Sequence, residues 1–187
     1  MERRPTTTLF MLMSVDGKIS PGASDDLDVD KDFPNIIGLK EGLPQYYEIE
    51  HVGSTSVVGL PAKPIIDIDA VVKSGDVEKT IRALEHIGYI HEGNLGIEGR
   101  EAFAYEGKEH LQAHHLYVCP EDSEELKRHL AFREYLRKNQ VAREKYGSIK
   151  LEAAKLYPDD IEKYIEYKSP IIEEIYANMF CETVVIR

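Results

Sequence analysis

Residues 48–72 read EIEHVGSTSVVGLPAKPIIDIDAVV, and the reading of this stretch decides the fold. Tyr47 to Val52 has the pattern of a strand, and Pro64 to Val72 is the strongest strand signal in the chain, rich in β-branched residues. Between them Gly53-Ser54-Thr55-Ser56 forms a turn of small residues. Successive side chains of a strand point to opposite faces, so Asp67 and Asp69 project together while Ile66, Ile68 and Ala70 project the other way, into a core. Two carboxylates side by side on an apolar strand repel each other and are poorly hydrated. Either they lie on an exposed edge of the sheet and are merely solvated, or something positive compensates them. A hard divalent cation such as Mg²⁺ can do so, taking carboxylate and phosphate oxygens together.

The turn adds to the second of these readings. Glycine lets a backbone approach a ligand closely, and successive N–H groups can cradle an anion. The hydroxyl of Ser54 or Ser56 can add a hydrogen bond, and Lys63 is placed to meet a phosphate, to pair with an aspartate or simply to lie on the surface.

Working outward, residues 76–87 carry Val77, Ile81, Leu84 and Ile87 at helical spacing, and Gly88 ends that helix. Residues 88–100 are glycine-rich and turn several times. Strands are expected at 103–105 and 113–119, the second stopped by Pro120. From Asp122 onward the chain reads as helical. Asp122 or Ser123 can cap the first helix, a second runs from about Val141 to Leu156, and a third follows Pro158. Ser169-Pro170 marks either a kink or a new cap, and Ile171, Ile172, Ile175 and Met179 form the last buried stripe. Upstream, residues 7–13 read as a buried strand and 20–35 as a loop. Its acidic run Asp25-Asp26-Leu27-Asp28-Val29-Asp30 lacks the glycine and closing glutamate of a calcium-binding EF-hand and is read as solvated. These elements define an α+β protein: a mixed sheet flanked by helices, with a helical C-terminal segment.

Composition narrows the function. The 187 residues are 30% charged and carry a formal net charge of −11, which disfavours wholesale nucleic-acid binding, because such affinity rests on Lys and Arg neutralising phosphates. Lys127, Arg128, Arg133, Arg137, Lys138, Arg143, Lys145 and Lys150 gather in the helical part, but interleaved glutamates make a solvated helix face the better reading. A small phosphorylated ligand suits an acidic chain better. Cys119 and Cys181 have no metal-type spacing, and so few cysteines point to a reducing cytoplasm. The apolar run Leu9 to Met13 is too short for a signal peptide, and no stretch approaches the length of a membrane span.

His51-Val52-Gly53-Ser54-Thr55-Ser56-Val57, then Gly59-Leu60, then Ala62-Lys63-Pro64-Ile65-Ile66-Asp67-Ile68-Asp69 resembles the central motif of the GrpB family. Gly99-Arg100-Glu101-Ala102-Phe103, His114-His115-Leu116-Tyr117-Val118, Phe132 to Arg137, Tyr146 with Leu151, and Tyr164 with Lys168 resemble its later motifs. The similarity covers residues 48–180. It implies a nucleotidyltransferase-like fold, with a sheet core at 48–120 and a helical tail at 121–187.

By the same resemblance, Asp67 and Asp69 are the expected metal-binding and catalytic acids. Gly53, Ser54, Ser56, Lys63, Arg100, His115, Tyr117 and Lys168 are the expected substrate contacts, for a nucleotide or phosphorylated small molecule with Mg²⁺. Nucleotidyltransferases usually add a third carboxylate on a neighbouring strand. The corresponding strand here, Ala113 to Cys119, has none, so either His115 replaces it or the site binds without catalysing. The family often shows a second histidine where this chain has Tyr117.

Residues 1–47 resemble something else. Arg4-Pro5-Thr6 through Met11-Leu12-Met13-Ser14-Val15-Asp16-Gly17-Lys18-Ile19 is similar to the start of the RibD C-terminal reductase domain of riboflavin synthesis. The rest of that fold is missing, which leaves reductase chemistry as the weakest reading. An apolar strand at 7–13 without its own sheet would pair with the edge of the adopted sheet or with a second copy of the chain, as a homodimer.

Overall fold

A computed structural model describes residues 48–109 and 111–185, with side chains described through residue 179. The expectations for the strand at 7–13, the loop at 20–35 and a dimer contact through them lie outside the described residues, as does the RibD-like segment.

Five strands form one sheet in the order β1-β2-β5-β4-β3: β1 Glu48–Val52, β2 Ile66–Val72, β3 Ile90–Gly93, β4 Glu101–Ala104 and β5 His114–Pro120. β2 and β5 are parallel and every other pairing is antiparallel, so the sheet is mixed. β3 was not expected. It is a four-residue edge strand with a bulge between His91 and Gly93, hidden in the glycine-rich stretch because only alternate residues are even partly buried.

Helix α1, Val77–His86, covers one face. Its Ile81 and Leu84 pack on Ile66, Ile68, Ala70 and Val72 of β2 and on Leu116 and Val118 of β5. Helices α2 (Glu124–Lys138), α3 (Gln140–Leu156) and α4 (Ile161–Val185) form a layer on the other side. The side-chain oxygen of Ser123 accepts from Leu126 N–H to cap α2, and that of Asn139 accepts from Ala142 N–H to cap α3. Pro170 lies inside α4 and not at a new start, so of the two readings of Ser169-Pro170 the cap is set aside. The stripe expected near the C-terminus is in place: Ile171, Ile172 and Ile175 pack with Leu60, Val57, Leu136 and Tyr146.

α3 is pinned to the loop between β1 and β2. A Cβ on Gly147 would come within 2.9 Å of Pro61 Cδ and 3.6 Å of Leu60 Cδ1. Alanine is the better helix former by about 1 kcal/mol, yet crowding a packed contact costs roughly 1–3 kcal/mol. Gly147→Ala is therefore expected to destabilise the protein in urea unfolding, against its helix propensity. A gain in stability would show that α3 is not held by this contact.

Candidate functional site

β2 is an interior strand, between β1 and β5, so Asp67 and Asp69 do not sit on a solvated edge. Both point into the layer between the sheet and α2–α4, and both are buried, Asp69 fully. The register places Asp67 opposite His115 and Asp69 opposite Tyr117 on β5, and Glu50 beside Asp69 on β1.

Much of the compensation expected from a metal is supplied by imidazoles. His115 Nδ1–H donates to Asp67 Oδ1 at 2.8 Å. His129 of α2 donates from Nδ1 to Asp69 Oδ2 at 2.6 Å and from Nε2 to Glu125 Oε1 at 3.0 Å. Because both its nitrogens face carboxylates, His129 is an imidazolium. Burial works against its charge, but Asp69 and Glu125 prevail and push its pKa up to about 9. Burial likewise works to raise Glu125, yet His129 holds it below the usual carboxylate range. Burial raises Asp67, only partly opposed by His115. His114, on the opposite face, is structural: Nδ1–H donates to Gln112 O and Nε2 accepts from Tyr89 O–H.

The turn before β2 is shaped around Asp67. Gly53 has φ 70° and ψ −166°, a region closed to other residues, and a Cβ there would fall 2.0 Å from Asp67 Oδ2. Ser56 Oγ–H donates to Gly53 O at 2.6 Å, so this hydroxyl closes the turn. Ser54 Oγ accepts from Lys150 Nζ at 2.6 Å, and the same ammonium donates to Pro61 O at 2.6 Å. Arg137 donates to Ser56 O, and Arg133 to Glu50 and to His51 O, clamping α2 to β1 and the turn.

The reading of the basic residues as a solvated helix face is thus corrected for two of them. Lys150 is buried and Arg133 is an internal strut, whereas Arg137 is exposed while it holds the turn, and surface pairs such as Lys127–Glu124 keep the original description. Helical periodicity misled because these side chains reach inward to polar partners.

Lys168, on α4, is fully buried; its Nζ has no hydrogen-bond partner among the described residues and lies 4.3 Å from the centre of the Tyr164 ring. Burial, then the charges of Lys150 and Lys63, hold its pKa well below the usual lysine value, with Asp67 opposing. Burial also lowers Lys150, to about 7, despite Asp67. Lys63 is half-buried and its charge is felt by both lysines. Arg100 reaches the same side of the sheet over the ring of Tyr117, at 4.3 Å. Ser54, Asp67, Asp69, His115, Lys63 and Lys168 therefore lie on one side of the sheet. Ser56 shapes the turn and Tyr117 supports Arg100. Sequence reasoning missed Lys150, His129 and Glu125; the spacing of Glu125 and His129, four apart on a helix, was the one signal available for the last two.

Among the described residues no three of His, Cys, Asp and Glu form a ready metal cage. The residues present nevertheless fit a Mg²⁺ ion carried by phosphates. Asp69 Oδ1 is buried without a hydrogen-bond partner, and each aspartate has its other oxygen oriented by an imidazole, as in the outer shell of many metal sites.

A mixed sheet carrying paired aspartates beside a Gly-Ser turn, with helices on both faces, is an α+β architecture. The family profile described as GrpB protein matches residues 30–178, overlapping residues 30–47 of the segment set apart above. The glutamate-rich protein GrpB of Alkalihalophilus pseudofirmus is 37% identical over 139 residues, 72% of this chain and 80% of that protein. UPF0157 protein YqkA of Bacillus subtilis is 34% identical over 136 residues, but they make up only 39% of it. The crystal structure of conserved protein GrpB from Enterococcus faecalis superimposes with a TM-score of 0.65 at 32% identity, covering 82% of this chain and 89% of that one. The chain belongs to the GrpB family. No helix among the described residues is long and apolar enough to cross a membrane.

Two outcomes check this site. Gly53→Ala forces both a strained backbone and a collision with Asp67, and is expected to lower unfolding free energy by roughly 2 kcal/mol or more. For His129, the folded pKa of about 9 stands above its ordinary 6.5, so its stabilisation is complete below pH 6.5 and lost as pH rises through about 9. The stability difference between wild type and His129→Gln should shrink across that window by about 3 kcal/mol, while contributions from Asp67 and Lys150 largely cancel. Urea unfolding of both proteins measures it, and a pH-independent difference contradicts the imidazolium.

Proposed function

We propose that the protein binds the phosphates of a nucleotide, or of a related phosphorylated small molecule, against Ser54, Lys150 and Lys168, and supports metal-dependent nucleotidyl or phosphoryl transfer beside Asp67 and Asp69. The observation that carries this reading is the pair of buried lysines Lys150 and Lys168, the latter without a hydrogen-bond partner among the described residues, next to a Gly-Ser turn. Burial disfavours the charged form of both amines, and an anion placed against them would restore it. A phosphate would accept from both and from the N–H groups near Gly53. Mg²⁺, held by Asp67 and Asp69 together with the phosphates, would neutralise charge as it builds on the transferring group.

Within the chain, Ser54 and Lys150 position the phosphates, Lys63 adds charge at the mouth, and His115 and His129 keep the two carboxylates oriented. A second reading, binding without catalysis, is favoured by one feature: the β5 position beside Asp67 is His115 and not an acid.

Calorimetric titration with nucleoside triphosphates, with and without EDTA, tests the proposal. Affinity should fall at least tenfold, about 1.4 kcal/mol, on removing the metal, and similarly in Asp67→Asn. That variant should keep its melting temperature, because it removes a buried charge and keeps shape. Metal-independent binding would remove the metal from the site's role. Pyrophosphate release with acceptor mixtures separates transfer from binding alone.

A further inference from the structure

Arg100 is the second buried cation that the fold leaves without a hydrogen bond. It is 1% exposed, and Nε, Nη1 and Nη2 all lack partners among the described residues. No nearby acid is hydrogen-bonded to Arg100. Glu125 gives one oxygen to His129 and the other to Arg128, and Asp69 gives Oδ2 to His129 while its Oδ1 has no hydrogen-bond partner among the described residues.

Arg100 also lies away from the lysines. Tyr117, whose ring it overlies, is paired with Asp69 on one side and with Ala102 of β4 on the other. Its charge acts on Tyr117, Cys119 and Glu125, whereas Lys150 and Lys168 are coupled to Asp67 and to each other. The paired aspartates therefore have Lys150 and Lys168 on the Asp67 side and Arg100 on the Asp69 side.

We propose that Arg100 is the anchor of a second anion subsite, which takes the carboxylate or phosphate of the other substrate, on the far side of Asp69 from the nucleotide phosphates. The inference rests on the nucleotide reading for the identity of the first anion, not for the second. A guanidinium with all its donors idle matches a planar carboxylate or a phosphate in two parallel hydrogen bonds, which an ammonium cannot reproduce. The substrate class is thus a small molecule with an acidic group. Tyr117 gives Arg100 an aromatic surface to lie on.

The test uses the full chain and two probes, inorganic phosphate and acetate, followed by calorimetry and by melting temperature. Wild type should bind phosphate in two classes of site. Arg100→Met should remove one class, weaken its probe at least tenfold, and melt no lower than wild type without anion, because an unpaired buried charge has gone. Arg100→Lys should keep the charge but not the affinity. Lys168→Met should remove the other class and spare the Arg100 class. Failure of that last variant to change phosphate binding counts against the nucleotide reading alone. Acetate binding lost in Arg100→Met identifies a carboxylate as sufficient, while a response to phosphate only identifies a phosphorylated substrate. The proposal is overturned if wild type binds neither probe at millimolar concentration or if Arg100→Met keeps both classes. It is equally overturned if Arg100→Met unfolds or melts well below wild type while Arg100→Lys restores stability without anion.

Discussion

Everything in this structure is arranged around two carboxylates buried on one face of a central strand. Taking an ion out of water costs several kcal/mol even after relaxation, and two like charges on one face add repulsion. The fold meets that cost from two directions. His115 comes from the neighbouring strand, in register with Asp67, and His129 comes from α2, held in turn by Glu125. α2 must therefore sit over β2, and Arg133 and Arg137 fix it to β1 and to the turn. The turn follows from the same requirement, because only glycine at position 53 leaves room for the Asp67 carboxylate.

Compensation is uneven along the strand. Around Asp69 the charges of His129 and Glu125 interlock, and Arg100 stands near them without a hydrogen bond. Around Asp67 the neighbours are basic: His115 donates to it, and Lys150 and Lys168 interact with it although burial holds both below the usual lysine range. An imidazole in place of a third carboxylate has the same consequence. Two acids and a histidine carry less negative charge than three acids, so they attract a bare divalent cation less strongly and a metal-phosphate unit comparatively more.

The sequence made the sheet face legible because strand alternation is strict: Asp67 and Asp69 together, Ile66, Ile68 and Ala70 opposed, His115 with Tyr117 and His114 with Leu116. The cap at Ser123 and the helical tail follow from local chemistry of the same kind, whereas the cap at Asn139 was not anticipated. What escaped has a common cause. His129, Glu125 and Lys150 are polar residues on the inward side of helices, where periodicity assigns core to apolar residues and solvent to charged ones. Their burial is a tertiary fact, created by aspartates more than fifty residues away in sequence. β3 escaped because an edge strand with a bulge need bury little.

Lys168 and Arg100 carry the argument furthest, because stability alone does not explain them. A fully buried lysine against the Tyr164 ring, its charged form disfavoured by burial and by other lysines, adds little to the folded state, and a guanidinium with every donor idle weakens it. Well-packed apolar side chains of similar volume would hold the same space at lower cost. Groups of this kind persist where the strain is returned on binding, since an anion meeting preset donors in a dry interior gains more than it would in water. Such donors need no reorganisation when the ligand arrives. The cost is spread over the α3–α4 packing, the clamps on α2 and the sheet itself, which together hold these two side chains in place.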